Sequence, residues 1–217
     1  MTSATGRGRF ISLEGMEGAG KSTNLHLIRR FLEARDVPLL VTREPGGTPL
    51  AEEIRELLLA VRSEPVQPLA ELLLMFAARR QHVATAIEPA LAAGTWVLCD
   101  RFTDATYAYQ GGGREMDMAF IATLEQATHG GLEPDLTFFL DLDWSEAMSR
   151  IQGRPLDRFE LEARAFFDRV REVYLQRATA NPRFAVIDAA EPLEDVQRQL
   201  QIELEQRVAH WLNESSA

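Results

Sequence analysis

Residues 10–23, FISLEGMEGAGKST, constrain this chain more than any other stretch. An apolar run, Phe10-Ile11-Ser12-Leu13, reads as a short buried strand. Gly15, four further residues, Gly20, Lys21 and Ser22 then form the G-x-x-x-x-G-K-[ST] phosphate-binding pattern. Glycine at 15, 18 and 20 reaches backbone angles closed to other residues, so successive N–H groups turn inward on an anion. Lys21 supplies a point charge for β- and γ-phosphates, and the Ser22 hydroxyl suits Mg²⁺. The helix that follows aims its positive end at the same place. Its Leu25, Ile28 and Leu32 recur at helical spacing, which is the strand–loop–helix context the pattern requires. The chain holds 22 Arg and a single Lys, which is Lys21. Arg serves every other basic position, yet a compact ammonium is kept here.

Further short apolar segments at 37–42, 95–100, 136–142 and 184–188 read as strands. Helical patterns cover 21–35, 49–62, 68–91, 116–129, a stretch from 145, 160–180 and 193–213. Thr48-Pro49 suits an N-cap and first turn, and 101–113 reads as a loop or short helix ending in three glycines. Strands alternating with helices predict a parallel sheet covered on both faces, with ligands at the carboxyl ends of the strands. At 217 residues the expectation is one α/β domain, with 1–8 as a flexible tail rather than a signal peptide. A net charge of −10 argues against a nucleic-acid partner, and the lack of an 18-residue apolar run against a membrane span. Cys99 is the only cysteine, so no internal disulfide forms and a reducing compartment fits. The four His have no metal-ligand spacing.

Two acids compete to hold the metal: Asp100 after Trp96-Val97-Leu98-Cys99, and Asp141 after Phe138-Phe139-Leu140. Asp100 is preferred, because Arg101 follows it and sets a phosphate-sized clamp beside the metal. An Asn-Lys-x-Asp guanine signature cannot occur, and no His-Arg-Asp catalytic loop is present. Many arginines lie outside the loop: Arg43, Arg55, Arg80, Arg101, Arg150, Arg154 and Arg158. Two polyanions brought together need that charge. If the acceptor is itself a phosphate, the nucleophile is already anionic and catalysis is positioning plus neutralisation.

The order EGMEGAGKST, TREPGGTP, LLLMFAARRQH, LCDRF with AYQGGGR, and then an Arg-rich segment resembles the thymidylate kinases, from about residue 10 to 188. The resemblance implies a three-layer P-loop NTPase fold: a parallel five-stranded sheet, helices on both faces and an Arg-rich lid at about 150–160. It implies phosphoryl transfer from ATP to dTMP with Mg²⁺, in a cytoplasmic homodimer; the apolar helices 50–61 and 69–91 are the candidates to supply its interface. ATP would meet Gly15, Met16, Glu17, Gly18, Ala19, Gly20, Lys21, Ser22, Thr23 and Arg150. Mg²⁺ would meet Ser22, Asp100 and Glu160. For dTMP, Phe76 would stack on the base and Arg80 would bond its edge, with Thr106, Gln110 and Pro45 nearby. Tyr109 would lie under the sugar, Glu17 at the 3′-hydroxyl, and Arg55 and Arg101 on the phosphate. On the helix alone, Phe76 reads as core and Arg80 as solvated. Lys21, Arg101 and the lid residues Arg154 and Arg158 are the implied catalytic set. Gly153-Arg154-Pro155 departs from the family's Arg-Gly order, which leaves open which lid arginine acts. Another phosphate or nucleoside acceptor, or a nucleotide-gated binding module, are the alternative readings.

Overall fold

The structure, a computed structural model, describes residues 6–153 and 155–214. Strands β1 (Phe10–Gly15), β2 (Leu39–Arg43), β3 (Trp96–Asp100), β4 (Leu136–Asp141) and β5 (Phe184–Asp188) form one sheet in the order β2-β3-β1-β4-β5. Every neighbouring pair is parallel, with Phe10 opposite Val97 and Ile11 opposite Leu136 on either side of β1. Parallel neighbours need crossovers, and helices supply them.

Helices α1 (Lys21–Glu33) and α9 (Leu193–Glu214) cover one face, where Ile11, Leu13 and Leu98 pack with Ile28, Leu32, Leu200 and Leu204. The other face is covered by α3 (Pro68–His82) and α8 (Arg164–Ala180), with Phe139 stacked on Tyr174 at 4.8 Å between centroids. This is the expected three-layer architecture. The period-two alternation of β1 sends Ser12 and Glu14 to that second face, where both are buried. The Ser12 and Thr137 hydroxyls bond each other there at 2.8 Å. Loops after β1 and β3 leave from adjacent carboxyl ends, where the strand order reverses, and that is where an open parallel sheet places its ligands.

The remaining helices are α2 (Pro49–Leu59), α4 (Glu88–Ala92), α5 (Thr103–Thr106), α6 (Met118–His129) and α7 (Trp144–Arg150). Thr48 caps α2 as its position predicts, accepting from Ala51 N. Several boundaries differ from the sequence reading, among them the end of α2 at Leu59, the start of β3 at Trp96 and the start of α6 at Met118. β2 starts at Leu39 rather than 37. The long helix expected over 68–91 widens into a π-helical turn, Val83–Ile87, where Glu88 N–H reaches the Val83 carbonyl. Pro89 lies just beyond and has no N–H to continue the tighter ladder. Residues after α5 likewise form a π-helical segment, Tyr107–Gly113. Its glycines are forced by close approach, since a Cβ at Gly112 would sit 2.8 Å from the Arg169 carbonyl and one at Gly113 2.4 Å from the Phe166 ring. Finally, α8 begins at Arg164, not near 160. Asp157 accepts from Phe159 N and Glu160 N while the Glu160 carboxylate accepts from Asp157 N, which closes a separate turn first. No described helix is long and apolar enough to cross a membrane.

Candidate active site

The first site element is the loop between β1 and α1. Gly20 is left-handed and caps α1 without a side-chain bond, so the first N–H groups of the helix stay available to an anion. Gly18 is also left-handed, and a Cβ there would lie 2.4 Å from the Ala147 carbonyl of α7. Lys21 Nζ donates to the Gly15 and Met16 carbonyls, each at 3.0 Å. Burial and the neighbouring Arg101 cation lower its pKa from the usual lysine value.

An open cleft lies over this loop, lined by Gly18, Gly20, Lys21, Ser22, Thr23, Arg43, Asp100, Arg150 and Glu160. Beside it is a cavity lined by Pro45, Leu59, Met75, Arg79, Ala105, Thr106, Tyr109, Gln110 and Phe159. Glu17, Glu44, Arg55, Arg101 and Asp157 border both spaces. A predominantly apolar pocket with a few convergent polar groups, joined to a charged phosphate cleft, suits two ligands meeting at their phosphates.

Arg101 stands on the shared wall. Its backbone is left-handed at φ 68°, an unfavourable region for a side-chain-bearing residue. Neighbours over-determine it: Arg101 N donates to the Leu13 carbonyl at 3.0 Å, Cys99 Sγ to the Arg101 carbonyl at 3.0 Å, and Phe102 N to Glu14 Oε1 at 2.7 Å. The guanidinium pairs with the Glu17 carboxylate, reaches Tyr174 Oη at 3.4 Å and lies 5.0 Å from the Tyr109 ring. Burial alone would raise Glu17; Arg101 and Lys21 outweigh it and hold that carboxyl down at about 2. Glu14 goes the other way, pushed up to about 8 by burial and by the nearby Asp104 charge. Arg55 donates to the Pro45 carbonyl at 2.9 Å, and burial together with Arg43 lowers its pKa, as crowded cations facing a cleft should.

The two competing acids separate cleanly. Asp141 is held bidentately by Arg171, at 2.6 and 2.8 Å, and is structural. Asp100 faces the phosphate cleft, and its buried Oδ1 has no partner. Among the described residues no cluster of three His, Cys, Asp or Glu could hold a metal by itself.

Of the expected phosphate-loop residues, Gly15, Met16 and Ala19 line neither space, Met16 and Ala19 being buried in the core. Three expected residues outside the loop are also not brought to the site. Phe76 is core, only 2 % exposed, and lines neither space. Arg80 is exposed and donates to the Thr128 carbonyl at 3.0 Å. The i, i+4 pair that does reach the cavity is Met75 and Arg79, one residue earlier. Arg79 Nε donates to Glu44 at 2.6 Å and Nη2 to the Phe102 carbonyl at 3.3 Å, while its buried Nη1 has no partner. Glu44 also accepts from His82 Nδ1 at 3.0 Å, and the Thr42 hydroxyl meets His82 Nε2 at 2.7 Å. The third is Arg158, which lines neither space: it donates to the Leu58 carbonyl at 2.9 Å and to Glu71 at 2.7 Å. Arg150 lines the phosphate cleft and bonds the Ala189 carbonyl at 2.8 Å. Arg154 lies outside the described residues. Sequence reading missed Met75, Arg79, Glu44, Glu71 and Glu14; the Glu after the apolar run of β1 and the Arg before Arg80 were the available signals.

A parallel sheet with a phosphate loop at its switch point, and two spaces joined across an arginine wall, define a P-loop phosphotransferase of the nucleotide kinase kind. A model of the family "Thymidylate kinase" matches residues 13–200. The chain is 57% identical over 208 residues to the thymidylate kinase of Chromohalobacter salexigens, covering 94% of this chain and 98% of that one. It is 60% identical over 195 residues to that of Pseudomonas savastanoi, covering 89% and 93%. The crystal structure of thymidylate kinase from Ehrlichia chaffeensis superposes with a TM-score of 0.73 at 34% identity, covering 91% of this chain and 99% of that one. The chain belongs to the thymidylate kinase family.

Proposed function

We propose that ATP binds over the phosphate loop, that dTMP fills the adjoining cavity, and that the γ-phosphoryl group passes between them across the wall of Glu17, Arg55 and Arg101, giving ADP and dTDP in a single domain. The observation that carries this reading is that shared wall. A nucleotide switch has no use for a second, partly apolar cavity behind its phosphate cleft.

The acceptor phosphate oxygen is already anionic, so the chain need supply no base. Arg55 and Arg101 hold that phosphate in line, and Lys21 and the N-terminus of α1 neutralise the donor side. Glu17 meets the 3′-hydroxyl, and its ion pair keeps Arg101 from swinging. Tyr109, donating to Glu17 at 2.8 Å, closes the space a ribose 2′-hydroxyl would need. The donor set fits a magnesium ion: a hydroxyl at Ser22, the unpartnered carboxylate oxygen of Asp100, and Glu160 close by, with phosphates and water completing the shell. Bound Mg²⁺ would draw charge from the β- and γ-oxygens. At the base, Arg79 offers its free donor to a carbonyl and Gln110 and Thr106 line the remainder, with Met75 and Phe159 as apolar walls. The lid charge is assigned to Arg150 and Arg154. One buried Cys and the absence of a spanning helix among the described residues are compatible with the cytoplasm.

ADP release from ATP with a panel of nucleoside monophosphates tests the assignment. dTMP should dominate, with dUMP weaker by about 10–200-fold for its missing methyl group. Equal turnover of AMP and dTMP would refute it. The phase of α3 is tested separately: Arg79→Ala should raise KM for dTMP at least about tenfold, a loss of about 1.4 kcal/mol, and Arg80→Ala should leave it within about threefold. The reverse order would restore the Phe76–Arg80 face.

The same helices suggest a homodimer. Leu50, Leu57, Leu69 and Leu73 are 47–50% exposed on α2 and α3, which pack side by side. Apolar surface gathered in this way marks an interface. Sedimentation should give a dimer, and Leu57→Glu with Leu73→Glu a monomer; a monomeric parent chain would rule the dimer out.

A further inference from the structure

A carboxamide in a base site is ambiguous, presenting a donor or an acceptor according to how it is turned. Gln110 lines the cavity, and its surroundings remove the ambiguity. Glu71, fully buried on α3, accepts from Gln110 Nε2 at 2.8 Å. The same carboxylate pairs with Arg158 Nη1 at 2.7 Å and Arg114 Nη2 at 3.2 Å. Those arginines are fixed in turn, Arg158 on the Leu58 carbonyl and Arg114 on Glu162 at 2.5 Å. A carboxylate between two guanidiniums only accepts, so the NH₂ end of Gln110 is committed to Glu71. Its carbonyl end has no bond to any described residue and is the end left for the cavity.

Arg79 lines the same cavity and has a buried donor, Nη1, without a partner. Donor at Arg79 and acceptor at Gln110 complement a carbonyl beside a ring N–H, the edge of a pyrimidine-2,4-dione. A 4-aminopyrimidine reverses both groups, and both contacts fail. We infer that Glu71 is a positioning residue for base selection, holding the Gln110 carbonyl toward the cavity and so setting the discrimination between thymine and cytosine. Glu71 touches no substrate; it acts through Gln110. The inference rests on reading this cavity as the base site.

The test is kcat/KM for dTMP and for dCMP in the parent chain, Glu71→Gln, Gln110→Met and the double variant, with folding followed by circular dichroism. Glu71→Gln frees the carboxamide to turn, so the dTMP-to-dCMP ratio should fall at least about tenfold, mainly through a rise for dCMP, while KM for ATP stays within about threefold. Gln110→Met leaves the Glu71 ion pairs intact and should lose the same discrimination, with Glu71→Gln adding nothing on top. A folded Glu71→Gln whose ratio is unchanged, whatever its loss in Tm, makes Glu71 structural only and overturns the inference. If that variant does not fold, an unchanged ratio in Gln110→Met overturns it equally. A parent chain that uses dTMP and dCMP alike would instead overturn the base-site reading, and this inference with it.

Discussion

Lys21→Ala is expected to lower kcat by at least about 10³-fold, close to 4 kcal/mol of transition-state stabilisation, with Tm shifted by no more than a few degrees. Lys21 is the only lysine in the chain, and its ammonium sits against the Gly15 and Met16 carbonyls at the head of the phosphate cleft. Those carbonyls keep water as an alternative donor when the side chain is cut back, so the loop loses charge rather than shape. The neighbouring Glu17 loses one of the two cations that hold its carboxyl at about 2 but keeps Arg101. Lys21→Arg should not rescue, because a planar guanidinium is broader than the compact ammonium this loop encloses. Steady-state turnover with folding checked in parallel is the measurement, and activity within a few-fold of the parent would contradict the phosphate-loop assignment.

Arg101→Ala is expected to lose about 10³-fold in kcat/KM for dTMP, with most of it in kcat. Three separate bonds hold its backbone in the left-handed region, and the guanidinium joins Glu17 of the phosphate loop to Tyr174 of α8. Removing it strips the acceptor phosphate of its clamp and leaves Glu17 with Lys21 as its remaining cation and Tyr109 as its hydrogen-bond donor. A stability signature follows. Glu17 has a depressed carboxyl in the fold, so it contributes stability above the ordinary carboxylate range that is lost as pH falls toward about 2. Arg101→Ala removes the largest cause of that depression, and the variant's stability should fall off less steeply between about pH 5 and 2 than the parent's. Arg101→Lys restores a charge without the fork that spans Glu17 and Tyr174, and should recover only part of kcat. If Arg101→Ala keeps kcat within about tenfold, the shared wall is not where transfer occurs.

The sheet was readable because its signals are local: an apolar run, glycines at fixed spacing and a helix that follows at once. The motifs also marked the phosphate loop and Asp100, which line the phosphate cleft, Tyr109 and Gln110, which line the adjoining cavity, and Arg101 on the wall between them. What was not readable is the phase of α3. Residues 72–78 are apolar all round the helix, so periodicity cannot say whether 75 and 79 or 76 and 80 face the ligand. The buried acids were also hidden. Glu44 meets Arg79 across 35 positions and Glu71 meets Arg158 across 87, and nothing local distinguishes them from surface carboxylates. Arg158 looked like lid charge for the same reason: its partner lies on a distant helix.

The central claim is that phosphate moves between two nucleotides rather than to water. Phosphorus NMR of the purified chain with ATP, Mg²⁺ and dTMP decides it. The account predicts ADP and dTDP rising in equal amounts, with inorganic phosphate negligible and no turnover when dTMP is left out. ADP appearing with inorganic phosphate, and no dTDP, would contradict it.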